Sequence, residues 1–152
     1  MSEFDGVTIV FVPGLRDHVA DHWQTHLAAE IPGSITVAPL AEDRLSRAAR
    51  VAALGATLDA IDGDVVLAAH SAGALMVVHW ALAPTRPVRG ALLATPVDVE
   101  TPLPPGYPTF EELTDNGWLP SPRALLPFPA IVAASRNDPL ADYGKVSELA
   151  GA

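Results

Sequence analysis

The segment Ala69–Gly73 places a serine among the residue types that a nucleophilic serine requires around it. Its sequence, AHSAG, lies where an apolar strand-like run ends and an apolar helix-like run begins. A sharp strand-to-helix turn lifts a serine hydroxyl above a sheet and needs small neighbours, because the turn is crowded. Ala69 and Gly73 meet that need, although the usual pattern has glycine at the first position too. The segment therefore predicts a nucleophile elbow with Ser71 as the nucleophile.

A serine nucleophile also needs donors for an oxyanion, a base that takes its proton and an acid that orients the base. We expect one donor to be the backbone N–H of Ala72, at the start of the helix. The second is expected from the loop after the first strand, where Pro13-Gly14 turns close to Ser71, and we choose the Leu15 N–H. A plain strand-ending turn is the alternative interpretation of Pro13-Gly14.

The acid is expected after the fifth strand, at the same sheet edge as the serine, where Asp138 stands. The segment Asn137–Pro139 is also a good turn by itself, so a purely structural role for Asp138 stays open. Asp98, after the fourth strand, is the reserve acid.

The base is harder to place among the five histidines. His70 is adjacent to Ser71, so its side chain must leave the turn in another direction. His79 lies about 12 Å further along the helix by helical rise. His18 follows the first strand and is the only local replacement for a base, and we assign His18 and His70 to substrate binding.

A repeat of histidines every four residues also invites a metal interpretation. No carboxylate or thiolate is placed to complete a site, and the intervening Trp23 and Leu27 indicate an ordinary amphipathic helix. We therefore predict neither a metal nor a cofactor. The residues of the repeat are His18, His22 and His26.

Short apolar runs of strand type alternate with longer stretches of helix type, which predicts a doubly wound α/β domain with a parallel sheet in the order 2-1-3-4-5. At 152 residues the chain fits a single domain. A capping box is expected from Asp21 and Gln24. The predicted strands are Val7–Val12, Ser34–Pro39, Val65–Ala69, Val88–Thr95 and Ala130–Ser135, and the predicted helices are Asp21–Ile31, Ser46–Ile61, Ser71–Ala83 and Asp142–Ala150.

The segment 96–129 breaks this rhythm, since it holds 9 of the 15 prolines. Such a connection can hold little regular structure, and long loops of this kind often cover a site. We expect it to form a cap over the serine.

Composition excludes several classes of function. A net charge of −9 disfavours nucleic acids and anionic membranes as partners, and the absence of cysteine excludes disulfides and thiolate metal sites. Without a basic, apolar leader at the N-terminus, we expect a cytoplasmic protein. Val65–Thr85 carries no charged residue over 21 positions, yet its central His70-Ser71 pair favours a buried strand and helix over a membrane span.

The chain resembles the small serine hydrolases of the α/β-hydrolase fold, of the retinoblastoma-binding protein 9 type. The resemblance implies a three-layer α/β-hydrolase sandwich and a cofactor-free hydrolase of small carboxylic esters or amides, with Ser71 as nucleophile and Asp138 as acid. The family's link to retinoblastoma protein is not expected here, because its cysteine-containing motif is impossible in this chain. The likeness rests on Val12–Gly14, His22–Gln24, Ala69–Gly73, His79–Ala81, Gly90–Leu93, Leu126–Pro129, Ala134-Ser135 and Asp138-Pro139.

The family's catalytic histidine follows a further strand, whereas no histidine follows Asp138 in this sequence. We therefore expect a family member cut short before its last strand and helix, with impaired activity. The fifth strand would then be an apolar edge that favours a homodimer. The alternative is a non-catalytic binding module that keeps the fold and the pocket.

Overall fold

The computed structural model describes residues 6–138, 141, 143, 144 and 146. Its five strands form one parallel sheet in the order β2-β1-β3-β4-β5, which confirms the predicted α/β-hydrolase-like fold and strand order. The strands are β1 (Val7–Val12), β2 (Ile35–Thr36), β3 (Asp64–His70), β4 (Gly90–Ala94) and β5 (Ala130–Ala133), and the helices are α1 (Trp23–Glu30), α2 (Arg47–Asp59), α3 (Ala72–Trp80) and α4 (Phe110–Asp115).

Alternation along β1 divides the core into two layers. Val10 and Val12 belong to the larger hydrophobic cluster, with residues of α2 and α3. Ile9 and Phe11 belong to a smaller cluster, against which Trp23 of α1 packs. Because successive side chains of a strand point to opposite faces, helices cover both sides of the sheet. This arrangement gives three layers.

The predicted cap of α1 was wrong. The N-cap of α1 is His22, whose Nδ1 accepts the Gln24 N–H at 3.2 Å, and not Asp21. The Asp21 carboxylate instead pairs with exposed His26 at 2.9 Å. The segment 96–129 was expected to hold little regular structure, and within it the structure describes one six-residue helix, α4, begun by a capping box between Thr109 and Glu112. The capping box stabilises that short helix locally.

The other elements differ from prediction mainly in their ends. Strand β2 has two residues instead of the six expected over Ser34–Pro39, and α3 ends at Trp80 instead of Ala83. Most of the predicted last helix, Asp142–Ala150, lies outside the described residues. No helix in the described part of the chain is long and apolar enough to cross a membrane.

Two side-chain hydrogen bonds fix the proline-rich segment 96–129 to the start of α2, beside a backbone bond from the Arg47 N–H to the Asn116 carbonyl at 3.0 Å. Trp118, only 1% exposed, donates its Nε1–H to the carbonyl of Leu45 at 2.7 Å. Arg47 donates its Nε–H to the carbonyl of Gly117 at 3.0 Å. Because both partners lie at one end of α2, this part of the segment is held over the carboxyl edge of the sheet.

His79 of α3 lies against this anchor, with its ring centroid 6.2 Å from that of Trp118. The pKa of His79 is lowered from 6.5 to about 4. Burial is the largest cause and the nearby Arg47 charge acts in the same direction, whereas a backbone hydrogen bond with Trp118 acts in the opposite direction. The unfolded chain therefore binds more protons than the folded one between those two pH values. The stability that this histidine contributes is complete above pH 6.5 and declines as the pH falls towards 4.

We predict that His79→Leu makes the free energy of unfolding less dependent on pH over this window. Urea unfolding of both proteins at pH 7.5 and 5.0 measures the effect. The loss of stability between these pH values should be smaller in the variant, because leucine has no proton to bind. An equal loss in both proteins would contradict the assignment.

Strand β5 is the edge of the described sheet, and Ile131 on it is 70% exposed. We propose that this edge pairs with the same edge of a second copy. Sedimentation velocity should then show a dimer that Ile131→Lys dissociates. Leu125→Lys is the matched control, because Leu125 is 83% exposed but precedes the strand. A monomeric wild-type protein would refute the proposal.

Candidate active site

Ser71 forms a strained turn between β3 and α3. Its backbone has φ 55° and ψ −121°, a conformation that residues other than glycine rarely adopt. The Ser71 N–H donates to the carbonyl of Ala94 at 3.0 Å, which joins the turn to the end of β4. The Ser71 side chain makes no capping hydrogen bond to α3. The hydroxyl is therefore not used to begin the helix.

Gly73 allows the first turn of α3 to touch the end of β1. A Cβ atom on Gly73 would collide with the carbonyl oxygen of Val12 and would lie 2.6 Å from that of Pro13. Only glycine fits this contact without a backbone shift. The small residue expected after the serine is thus required by the neighbouring strand.

The loop after β1 reaches the serine at Gly14. A Cβ atom built on Gly14 would lie 3.5 Å from the Ser71 Cβ and 3.8 Å from the Ala72 nitrogen. The loop then closes a turn, in which the Asp17 N–H donates to the Gly14 carbonyl at 3.0 Å. Leu15, which follows Gly14, is therefore brought close to the start of α3.

One cavity of about 590 Å³ adjoins this turn. Five residues predicted for the site line it together, namely Leu15, His18, His70, Ser71 and Ala72. The segment 96–129 contributes apolar side chains to the same wall, namely Val97, Val99, Leu103, Leu113 and Trp118.

His70 belongs to a cluster of rings on the α1 side of the turn. Its ring centroid lies 4.4 Å from that of His22 and 6.1 Å from that of Trp23, both in edge-on geometry. Burial lowers the pKa of His70, the charge of His22 lowers it further, and the Asp138 carboxylate raises it. Asp138 therefore lies close enough to His70 to interact with its charge, and burial favours the neutral form of the ring.

His22 has its own role in this cluster. Its Nδ1 accepts the backbone N–H of Gln24, so the proton of the neutral ring is on Nε2. Burial lowers the pKa of His22, as does the neighbouring His26. The Nε2–H of His22 is therefore a donor, and the ring cannot accept a proton while it caps α1.

The reserve acid, Asp98, lies elsewhere. Asp98 is 6% exposed, and its Oδ1 accepts the Glu100 N–H at 2.9 Å. It lines a small separate pocket with Leu75 and Arg123. Asp138 acts electrostatically on His70 of the cluster beside Ser71, whereas Asp98 lines the smaller pocket.

The family model for serine hydrolases matches residues 9–152. The chain belongs to the serine hydrolase family. A comparison with curated proteins gave no significant match. The matched region includes every element of this serine hydrolase described above, except the first two residues of β1.

A solved structure with the same fold supports this assignment. It is a YdeN-like hydrolase from Pectobacterium atrosepticum, with 26% sequence identity and a TM-score of 0.77. The alignment covers 97% of this chain and 72% of that one. The resemblance predicted from sequence motifs is thereby confirmed at the level of the family.

Several residues of this site had no role in the sequence interpretation. The capping action of His22 was assigned to Asp21, although the His22–Gln24 motif belonged to the resemblance. Tyr107 received no role, yet its ring lies under the Arg16 guanidinium at 5.7 Å on the cavity wall. Among the described residues, no group of three or more His, Cys, Asp or Glu side chains could hold a metal.

We predict that Gly73→Ala destabilises the protein by at least about 2 kcal/mol, because the added methyl group must displace the backbone of β1 or α3. Urea unfolding measures the change. Gly55→Ala on α2 is the matched control, since its Cβ would meet only Trp80 at 3.6 Å. That variant should be neutral or slightly more stable. Equal stability of Gly73→Ala and wild type would contradict the close approach.

Proposed function

We propose that this serine hydrolase cleaves small carboxylic esters or amides, with Ser71 as its nucleophile. The observation that carries the proposal is the strained backbone of Ser71, at φ 55° and ψ −121°, on the wall of the cavity. Strained non-glycine residues cluster at active sites, where the surrounding structure maintains them. The uncommitted hydroxyl and its position at a helix N-terminus add support.

In the proposed reaction, the Ser71 Oγ attacks the carbonyl carbon of the substrate and its proton passes to a base. The resulting oxyanion accepts hydrogen bonds from the backbone N–H groups of Ala72 and Leu15. Collapse of this intermediate breaks the bond to the leaving group, which takes the proton and leaves an acyl-serine. Water then attacks the acyl group by the same route, and the acid product and free Ser71 are released.

The base is proposed to be His18, the stand-in expected from sequence. His18 is exposed and lines the cavity with Ser71. The other two histidines of the cavity have competing contacts, since His22 caps α1 and His70 packs edge-on against rings of the α1 side. Asp138 is proposed to orient a histidine side chain. The Asp138 carboxylate raises the pKa of His70, which supports a position for Asp138 at this end of the sheet.

An apolar acyl group is the proposed substrate portion bound by the cavity. The segment 96–129 supplies aliphatic side chains and the Trp118 ring to the wall. Contact between these side chains and an apolar acyl group removes apolar surface from water, which favours binding. An acyl group bound there would have its carbonyl carbon near Ser71.

We predict that an alkyl fluorophosphonate modifies Ser71 alone. The Ser71 Oγ forms a bond to phosphorus and fluoride leaves, so intact mass rises by one phosphonyl group. Peptide mapping should locate the adduct, and Ser71→Ala should remain unmodified. His18→Ala should be modified at least about tenfold more slowly, because positioned base catalysis contributes at least that much.

Two outcomes would contradict this prediction. No modification of the folded wild-type protein would favour a binding module that keeps the fold and the pocket. Modification of His18→Ala at the wild-type rate would leave Ser71 as nucleophile but remove His18 from the base role.

A further inference from the structure

A buried ion pair lies behind the loop that approaches Ser71. The Arg50 Nη1 of α2 lies 2.5 Å from the Asp17 Oδ1, and the two side chains are only 5% and 7% exposed. Charged side chains are rarely buried unless they are paired, because leaving water costs each of them free energy. This pair holds together two segments that are 33 residues apart in the chain.

The Arg50 guanidinium contacts the loop at two points. Besides its contacts with the Asp17 carboxylate, its Nη2 donates to the carbonyl of Leu15 at 3.4 Å. Its Nε donates to the carbonyl of Arg44 at 2.7 Å. The planar, branched guanidinium can make all of these bonds together, whereas a lysine ammonium cannot match their geometry.

Asp17 needs this support, because its own backbone is unfavourable. Its φ of 58° lies in the left-handed region, where a residue with a side chain is less stable than in the usual regions. Arg44 adds a second ion pair to the same carboxylate at 2.9 Å. The turn Gly14–Asp17 is thus held by its internal hydrogen bond and by two arginines from outside.

The position of this turn matters for the serine. Gly14 approaches Ser71 and Ala72, and Leu15 is the next residue. We propose that Arg50 is a positioning residue: through Asp17 and the Leu15 carbonyl it fixes the turn, so that the Leu15 N–H stays in place for the oxyanion. This inference rests on the proposed function, since it assumes that Leu15 donates to the oxyanion.

The test compares Arg50→Lys with Arg86→Lys. Arg86 also uses its guanidinium to bind backbone carbonyls, those of Leu58, Ile61 and Gly63, but at the amino end of β3. Both variants keep the charge and lose the branched donor. The control therefore shows what a similar loss does when it occurs far from Ser71.

The rate of fluorophosphonate modification is measured against probe concentration. For Arg50→Lys we expect the maximal rate to fall at least about tenfold, since a small misplacement of an oxyanion donor is costly. The half-saturating probe concentration should change less than about twofold, because the apolar wall is intact. Arg86→Lys should keep the wild-type maximal rate, even if its melting temperature falls as much as that of Arg50→Lys.

Hydrogen exchange of the backbone amides gives a readout that needs no catalysis. Exchange across residues 14–18 should be faster in Arg50→Lys than in wild type and unchanged in Arg86→Lys. Unchanged exchange in Arg50→Lys, or an unchanged maximal rate of modification, would overturn the positioning role. If the probe does not modify wild-type protein, the proposed function fails, and exchange alone still decides whether Arg50 fixes the turn.

Discussion

The architecture of the site depends on the contact between Gly73 and the end of β1. Because no side chain separates the first turn of α3 from the carbonyl oxygens of Val12 and Pro13, the β1 loop and the Ser71 turn lie against each other. Two backbone segments from neighbouring strands can therefore present their N–H groups at one place. A larger residue in place of Gly73 would push the end of β1 away from α3, and the cavity wall around Ser71 would no longer be continuous.

The two sides of this contact are stabilised by different means. Ser71 is part of a buried, hydrogen-bonded junction, since its N–H bonds to Ala94 of β4 and eight of the nine residues of α3 are buried. The loop after β1 is less buried: Leu15 packs only partly buried against the larger cluster, and Arg16 and His18 are exposed. Its shape comes from polar contacts to Asp17. We infer that the loop is the more easily displaced half of the site, which is why a buried arginine behind it matters.

Sequence patterns were sufficient for the central strands β1 and β3, because parallel strands buried on both faces appear as continuous apolar runs, whereas the edge strand β2 is shorter than predicted. The same reasoning located the Ser71 turn, since its signal is local. It failed where two local signals competed, as in the choice between Asp21 and His22 as the cap of α1. In the segment 96–129, which was expected to hold little regular structure, frequent prolines concealed the capping box of the short helix α4. The Asp17–Arg50 pair could not be predicted, because only the fold brings residues so far apart in the chain together.

The binding-module alternative accounts for a cavity but not for the backbone of Ser71. A pocket that only binds ligands can be built from relaxed turns, and a strained residue lowers stability by about 1 to 3 kcal/mol. Here the strain occurs at the one hydroxyl-bearing residue of the turn, and that hydroxyl is not used as a helix cap. The neighbouring loop is also held by a buried charge pair, which has its own desolvation cost. We infer that both costs serve one requirement, which is the fixed placement of a nucleophile and its oxyanion donors.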